Sequence, residues 1–187
     1  MRDEAGAVKR VRHACYDARF SRTAMPMTIR PMLPADLDAV LRVQAACYPP
    51  PMQEPAAVVK ARLDAAAASC LAVSDADGVC GYLFAYPSRL GRVTELGATF
   101  EVAPDADTLY LHDLAVEPRA LGQGLARALV EGLLDLGRGL GLSHAALVSV
   151  QDSTRFWNGF GFAARATGDA GLLTYPAGAV YMARPLN

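Results

Sequence analysis

The sequence predicts an α/β domain of three layers around a mixed sheet. Three observations carry that prediction. Short apolar runs of strand length alternate with stretches of helical periodicity. The segment Asp75-Ala76-Asp77-Gly78 joins two apolar runs with strong turn chemistry, the mark of a β-hairpin. Finally, Leu109 to Phe162 reads as one unit: strand, glycine-rich turn, long helix, strand, and a short helix closed by Gly161-Phe162.

Taken in order, Thr28-Ile29-Arg30-Pro31-Met32 reads as the first strand. Pro34-Ala35-Asp36 then opens a helix with Leu37, Val40, Leu41 and Gln44 at helical spacing. The run Cys47-Tyr48-Pro49-Pro50-Pro51 ends it, and an alanine-rich helix follows from about Gln53 to Ala68. Leu71-Ala72-Val73 and Val79 to Tyr86 form the hairpin strands. Ser88 to Asp107, with Gly91, Gly97 and Pro104, is a long connection expected to fold over a site. Leu109 to Val116 is a strand. The long helix is expected over Leu121–Gly139, with Leu125, Leu129, Leu133 and Leu136 on one face. Ala145 to Val150 is a strand, and two further strands are expected between Ala163 and Arg184.

A chain of 187 residues suits one domain with a real core. It is 52% hydrophobic and 20% charged, which is globular composition. The net charge of −1 points to neither nucleic acid nor an anionic membrane as partner. No apolar run approaches the length needed to span a bilayer. Cys15, Cys47, Cys70 and Cys80 show no paired spacing, so they read as reduced thiols of a cytoplasmic protein. His13, His112 and His144 make no ligand cluster, and no metal site is expected. Residues 1–26 carry six Arg/Lys against three acids with little apolar periodicity. They are expected to be a disordered basic extension ahead of a domain spanning 27–187.

The turn after the strand, Glu117 to Ala126, carries the strongest functional signal. Small residues at a helix start leave backbone N–H groups without intrahelical partners, and the helix dipole adds positive potential. Together they make an anion site suited to a pyrophosphate. No Gly-Lys-Ser/Thr follows, which excludes a P-loop, and the three-glycine dinucleotide fingerprint is absent. The stretch resembles the GNAT superfamily of N-acetyltransferases, whose acyl-CoA site is a strand ending in a Leu-Ala-Val-like triplet followed by a [Gln/Arg]-x-x-Gly-x-[Gly/Ala] turn. Here the triplet is Leu114-Ala115-Val116. Arg119 to Gly124 fits the turn pattern literally, whereas spacing from Val116 favours Leu121-Gly122-Gln123-Gly124-Leu125-Ala126. In the second register Leu121 stands where the family has Arg or Gln, and Arg119 either supplies that charge or is a solvated loop residue.

The resemblance covers roughly Thr28 to Arg184 and implies a mostly antiparallel twisted sheet, with strands splayed at the acyl-CoA site. It implies acetyl-CoA as acyl donor and cofactor contacts from Leu114, Ala115, Val116, Leu121, Gly122, Gln123, Gly124, Leu125, Ala126, Arg127, Ser153 and Trp157. Trp157 occupies the place of a tyrosine often assigned as acid for the CoA thiolate. An indole N–H only donates hydrogen bonds, so Trp157 is expected to pack over the cofactor arm.

For the base, the strand offers His112 and Asp113. Simple alternation puts Tyr110, His112 and Leu114 on one face and Leu111, Asp113 and Ala115 on the other, unless a bulge intervenes. His112 has the ordinary pKa suited to the role, about 6.5. It also matches the second histidine of the His-x-His-x-Leu-Ala-Val strand in arylalkylamine N-acetyltransferases, with Tyr110 replacing the first. Asp113 reads as structural or as an anchor for a cationic amine. Tyr48, Glu54 and Tyr110 are expected at the acceptor pocket. The implied acceptor is a small primary amine, arylalkylamine-like or polyamine-like, and the protein a monomer or homodimer. A protein or peptide acceptor, and a catalytically silent acyl-CoA-binding domain, remain open alternatives.

Overall fold

The computed structural model describes residues 27–186, so the expectation for the basic segment 1–26 lies outside the described residues. Seven strands form one sheet in the order β1-β2-β3-β4-β5-β7-β6. They are β1 (Thr28–Pro31), β2 (Cys70–Asp75), β3 (Gly78–Ser88), β4 (Thr108–Val116), β5 (His144–Ser149), β6 (Ala163–Ala164) and β7 (Val180–Pro185). Every pairing is antiparallel except β4 with β5. Helices α1 (Leu37–Cys47) and α2 (Ala56–Ala66) pack on one face, and α3 (Leu125–Gly139) with α4 (Thr154–Asn158) on the other.

Each face has its own core. Val40, Val43, Val59 and Leu63 meet Tyr82, Phe84 and Tyr110 on the first face. Leu129, Leu133 and Leu134 of α3 meet Leu109, Leu111 and Leu147 on the second. Burying two layers of this kind on one sheet is what drives a chain of this composition into three layers. Gly137 lets α3 sit close to the sheet, since a Cβ there would meet Leu186 Cδ1 at 2.8 Å.

The long helix starts at Leu125, four residues later than the sequence suggests. Gly122 (φ +76°) and Gly124 (φ +78°) both adopt left-handed backbone, which a right-handed helix cannot contain. The turn is therefore an exposed loop capped by Gly124. The second helix likewise begins after Pro55, at Ala56.

Two features of β4 create the site. It pairs with β5 only from Thr108 opposite His144 to Leu111 opposite Leu147. Beyond that point β4 runs on to Val116 with no neighbour on its β5 side, so the sheet opens in its middle. In addition, Phe84 opposes Asp113 while Ala85 opposes Leu111, so His112 is the extra residue of a β-bulge. The bulge resets the alternation. Tyr110, His112, Asp113 and Ala115 all face α1 and α2, and Leu114 turns toward α3. Simple alternation across β4 therefore does not hold, and both polar residues project into one space.

Candidate active site

The opening between β4 and β5 forms a cleft of about 250 Å³. Leu83, Leu111 and Leu147 floor it, and Leu114, Val116, Val148, Val150 and Trp157 form much of its wall. At one end stands the loop Leu121 to Gly124. The N–H groups of Gly122, Gln123 and Gly124 donate to no backbone or side-chain acceptor among the described residues. The first N–H groups of α3 also lack intrahelical partners. This fits a pyrophosphate, and the orphaned edge of β4 fits a chain of amides such as pantetheine.

Several expected cofactor residues meet here, and others do not. Leu121 is 63% exposed and lines the cleft, as do Ala126 and Ser153. Leu125 points its side chain into the core, so only its backbone is available to a ligand. Arg127 turns outward, stacked 4.7 Å from the Phe160 ring centroid and paired with Glu131. Arg119 is held by Glu117 at 2.6 Å and Asp75 at 2.5 Å, so its charge is spent on the hairpin turn and not on the glycine loop. Both carboxylates raise its pKa further, Asp75 foremost. A phosphate at this loop would therefore meet backbone groups. Gln151 and Asp152, in the turn from β5 to α4, hold left-handed φ of 52° and 55°. Such backbone costs about 1 to 3 kcal/mol per residue and is retained where the surroundings demand it. Gln151 lines the cleft, and no sequence signal marked it.

Trp157 lies 7% exposed, edge-on to Phe156 and Phe162. Its Nε1–H donates to Ser153 Oγ at 3.2 Å, and Ser153 in turn donates to the Val150 carbonyl at 2.7 Å.

A second cavity, of about 30 Å³, adjoins the cleft on the α1–α2 side. Met52, Leu96, Val148, Val150 and Tyr175 give it apolar walls, and Tyr48, Glu54, His112 and Asp113 its polar ones. Asp113 is clasped by two phenols. Tyr48 donates to Oδ1 at 2.7 Å and Tyr82 to Oδ2 at 2.8 Å. Tyr48 also lies 3.0 Å from the Leu114 carbonyl. Burial first, and the Asp113 charge second, push both phenols well above their usual pKa.

Glu54 is engaged by Arg62, which contacts both carboxylate oxygens from α2 with an Nη2–Oε1 distance of 2.6 Å. Arg62 also donates to the Ala98 carbonyl, and Gly97 N–H donates to Glu54. Leu96 N–H is tied to Thr174 and the Tyr175 hydroxyl to the Thr94 carbonyl. These bonds latch the β3–β4 connection over the cavity. His112 Nε2 sits 3.5 Å from Glu54, and its Nδ1 is buried without a partner. Its side chain is only 3% exposed. Burial, then the Arg62 charge, push its pKa down to about 3, with Asp113 opposing. The ordinary imidazole value used in the sequence reading does not carry over to this environment. Tyr110 lines neither cavity. It is fully buried beneath His112, its hydroxyl unpartnered.

Tyr82, Arg62 and Tyr175 were not anticipated. Arg62 had a legible signal. It falls in the apolar stripe Val59, Leu63, Ala66, where a lone charge implies a buried partner.

This opened sheet, with a free amide loop at a helix start, defines an acyl-CoA-dependent acyltransferase, and the comparisons agree. The model of the acetyltransferase (GNAT) family matches residues 37–162, more than half of the chain. The chain belongs to that family and is an acetyl-CoA-dependent N-acetyltransferase. The fold is similar to the ribosomal-protein-S18-alanine N-acetyltransferase from Escherichia coli, at 18% identity, TM-score 0.62, covering 87% of this chain and 95% of that one. It is also similar to YhbS from Escherichia coli in complex with CoA, at 21% identity, TM-score 0.57, covering 88% and 83%. The GNAT-like decarboxylase GphF in complex with isobutyryl-CoA gives 19% identity, TM-score 0.71, covering 86% and 100%. No curated protein sequence matches the chain.

Proposed function

We propose that the protein acetylates the primary amine of a small molecule with an apolar body, arylalkylamine-like in character. The observation that carries this is the Asp113 carboxylate where the cofactor cleft meets the apolar-walled second cavity, whose volume of about 30 Å³ takes the amine group while the body of the acceptor lies outside it. A polyamine needs several free acids along its length. Glu54 is already neutralised by Arg62, and Asp113, the other acidic side chain lining that cavity, makes no salt bridge among the described residues. A peptide needs an open groove, and the connection over this cavity is latched at Leu96, Gly97 and Ala98.

Acetyl-CoA supplies the activated acetyl group as a thioester. The amides of Gly122, Gln123 and Gly124 and the start of α3 hold its pyrophosphate, and the free edge of β4 from His112 to Val116 orients its pantetheine arm. Asp113 anchors the amine and takes its proton as the new bond forms. Asp113 borders both cavities, as His112 does, and the depressed pKa of His112 leaves the carboxylate as the proton acceptor. His112, neutral near pH 7, completes the wall beside Glu54. The domain is assigned to 27–187 with 1–26 as an extension, acting as a monomer or homodimer without a nucleic-acid or membrane partner. A cytoplasmic setting is supported by the free thiols of Cys47, Cys70 and Cys80. Among the described residues no helix is long and apolar enough to cross a membrane.

The test is thiol release from acetyl-CoA with arylalkylamines, polyamines and peptides bearing free N-termini. Arylalkylamines should give the highest kcat/KM. A preference for polyamines or peptides would overturn the acceptor assignment.

A further inference from the structure

Acetyl transfer leaves a thiolate that must be protonated, and the usual tyrosine position holds Trp157. Its one N–H is already donated to Ser153. The Ser153 hydroxyl is in turn committed to the Val150 carbonyl. Gln151 has no acidic proton. Among the residues lining the cofactor cleft, this leaves one hydroxyl whose hydrogen-bond partner is itself a proton carrier: Tyr48.

Tyr48 caps the C-terminus of α1, its N–H bonded to the Gln44 carbonyl at 2.9 Å. Gln53 Nε2 donates to its carbonyl at 2.8 Å, and Pro49 to Pro51 stiffen the chain beyond it. The residue is half-buried and borders both the cofactor cleft and the second cavity. Only Asp113, His112, Val148 and Val150 share that position. The phenol therefore stands where the two substrates meet, already bonded to the carboxylate that receives the amine's proton.

We propose that Tyr48 is the acid for the departing sulfur and that Asp113 recharges it. The amine binds as an ammonium beside Asp113, loses one proton to water, and attacks as the neutral amine. Its nitrogen forms a bond to the acetyl carbon, the carbon–sulfur bond breaks, and that electron pair leaves on sulfur. The nitrogen's proton passes to Asp113. The Tyr48 hydroxyl proton passes to sulfur, and the phenolic oxygen takes the proton held by Asp113. Amide and thiol are formed, and Asp113 and Tyr48 return to their starting states. The raised pKa of Tyr48 disfavours a free phenolate and so requires the two transfers to be coupled. A carboxylic acid is a far stronger acid than a phenol, so the coupled transfer runs toward the thiol.

This inference rests on the proposed acetyl transfer to an amine with Asp113 as proton acceptor, and not on which amine. The experiment uses the full chain with whichever acceptor the wild type turns over best. Tyr48→Phe should lower kcat roughly 10² to 10⁴-fold, with the acetyl-CoA Kd from calorimetry and the acceptor KM little changed. Tyr82→Phe removes the other phenol from Asp113 without touching either cavity, and should cost less than about tenfold, the loss of one neutral hydrogen bond. Equal losses for the two variants mean that Tyr48 only holds Asp113, and the proposal fails. It fails equally if acetyl-CoA affinity falls in step with kcat. Should Tyr48→Phe not fold, 2,3-difluorotyrosine in place of Tyr48 keeps the shape with a more acidic hydroxyl. The alkaline limb of kcat should then move to lower pH, and an unmoved limb overturns the relay. A peptide as best acceptor would refute the small-amine reading while leaving this comparison intact. A wild type that releases thiol with no amine or peptide overturns both.

Discussion

The two sides of the reaction cleft are built from different materials. The proposed cofactor side is backbone: amides of Gly122, Gln123 and Gly124 without a partner among the described residues, and the unpaired edge of β4 beyond Leu111. The proposed acceptor side is side chain, drawn from segments up to 127 positions apart: Tyr48 bonds Asp113, Arg62 bonds Glu54, and Tyr175 bonds the Thr94 carbonyl of the connection over them. A backbone site tolerates side-chain change, so the identity of Leu121 and Trp157 constrains it little. A side-chain site fails when one partner is removed, because the others are left buried and unpaired.

The sharpest way to break this contrast is on the acceptor side. Arg62→Met leaves Glu54 charged in a site where both side chains are nearly solvent-free, at 2% and 5% exposure. Removing one member of such a pair costs about 3 to 5 kcal/mol. Chemical denaturation should show that loss, and the double variant Arg62→Met, Glu54→Met should recover much of it. Equal stability of the single variant and the wild type would show the pair to be solvated.

On the cofactor side a comparable effect needs a change of backbone character. Gly124→Asp places a side chain at φ +78° and a carboxylate in the amide loop. Acetyl-CoA affinity should fall roughly 100-fold, or about 3 kcal/mol of lost and repulsive contacts. Calorimetry on the folded variant measures it, and unchanged affinity would remove the loop from the cofactor site.

His112 tests the boundary between the two sides through pH. Its folded pKa, about 3, lies below the unfolded value of 6.5. The unfolded chain therefore binds the proton first, so the stabilisation is present above pH 6.5 and is lost as pH falls toward 3. Glu54, Arg62 and Asp113 are the charged groups facing it. Relative to His112→Gln, wild-type stability should drop by about 1.4 kcal/mol per pH unit, or about 2 kcal/mol between pH 6.5 and 5. Parallel stability curves for the two proteins would mean that the imidazole is hydrated. The kcat of His112→Gln should stay within about tenfold of the wild type if Asp113 takes the proton.

The same contrast explains what could be read in the sequence. The glycine loop, the Leu114-Ala115-Val116 triplet and the hairpin turn are local, and their backbone consequences follow from residue type. The order of elements was legible for that reason. The bulge at His112 was not, because no residue type demands it; pairing with β3 across Phe84 and Ala85 creates it. The Tyr48–Asp113–Tyr82 clasp was equally hidden, since its members come from the end of α1, from β4 and from β3 and meet only once the sheet forms. Arg62 lay between these cases: the anomaly in its apolar stripe was visible, but its partner Glu54 was not.

The smallest effect is expected at Trp157, and it sharpens the contrast most finely. The ring packs against Phe156 and Phe162 and lines the cleft, while its N–H is spent on Ser153. If the cofactor side is backbone and apolar wall, Trp157→Phe removes one neutral hydrogen bond, about 1 kcal/mol, and some packing surface. The variant should lose about 1 to 2 kcal/mol of stability, and its kcat should stay within about tenfold of the wild type. Trp157→Tyr brings a phenol to the cleft. If Tyr48 already supplies the proton, that second phenol raises kcat little. A large gain in Trp157→Tyr, or a loss of several orders of magnitude in kcat for Trp157→Phe at unchanged acetyl-CoA affinity, would place a side-chain proton donor on the cofactor side and dissolve the distinction between the two halves of the cleft.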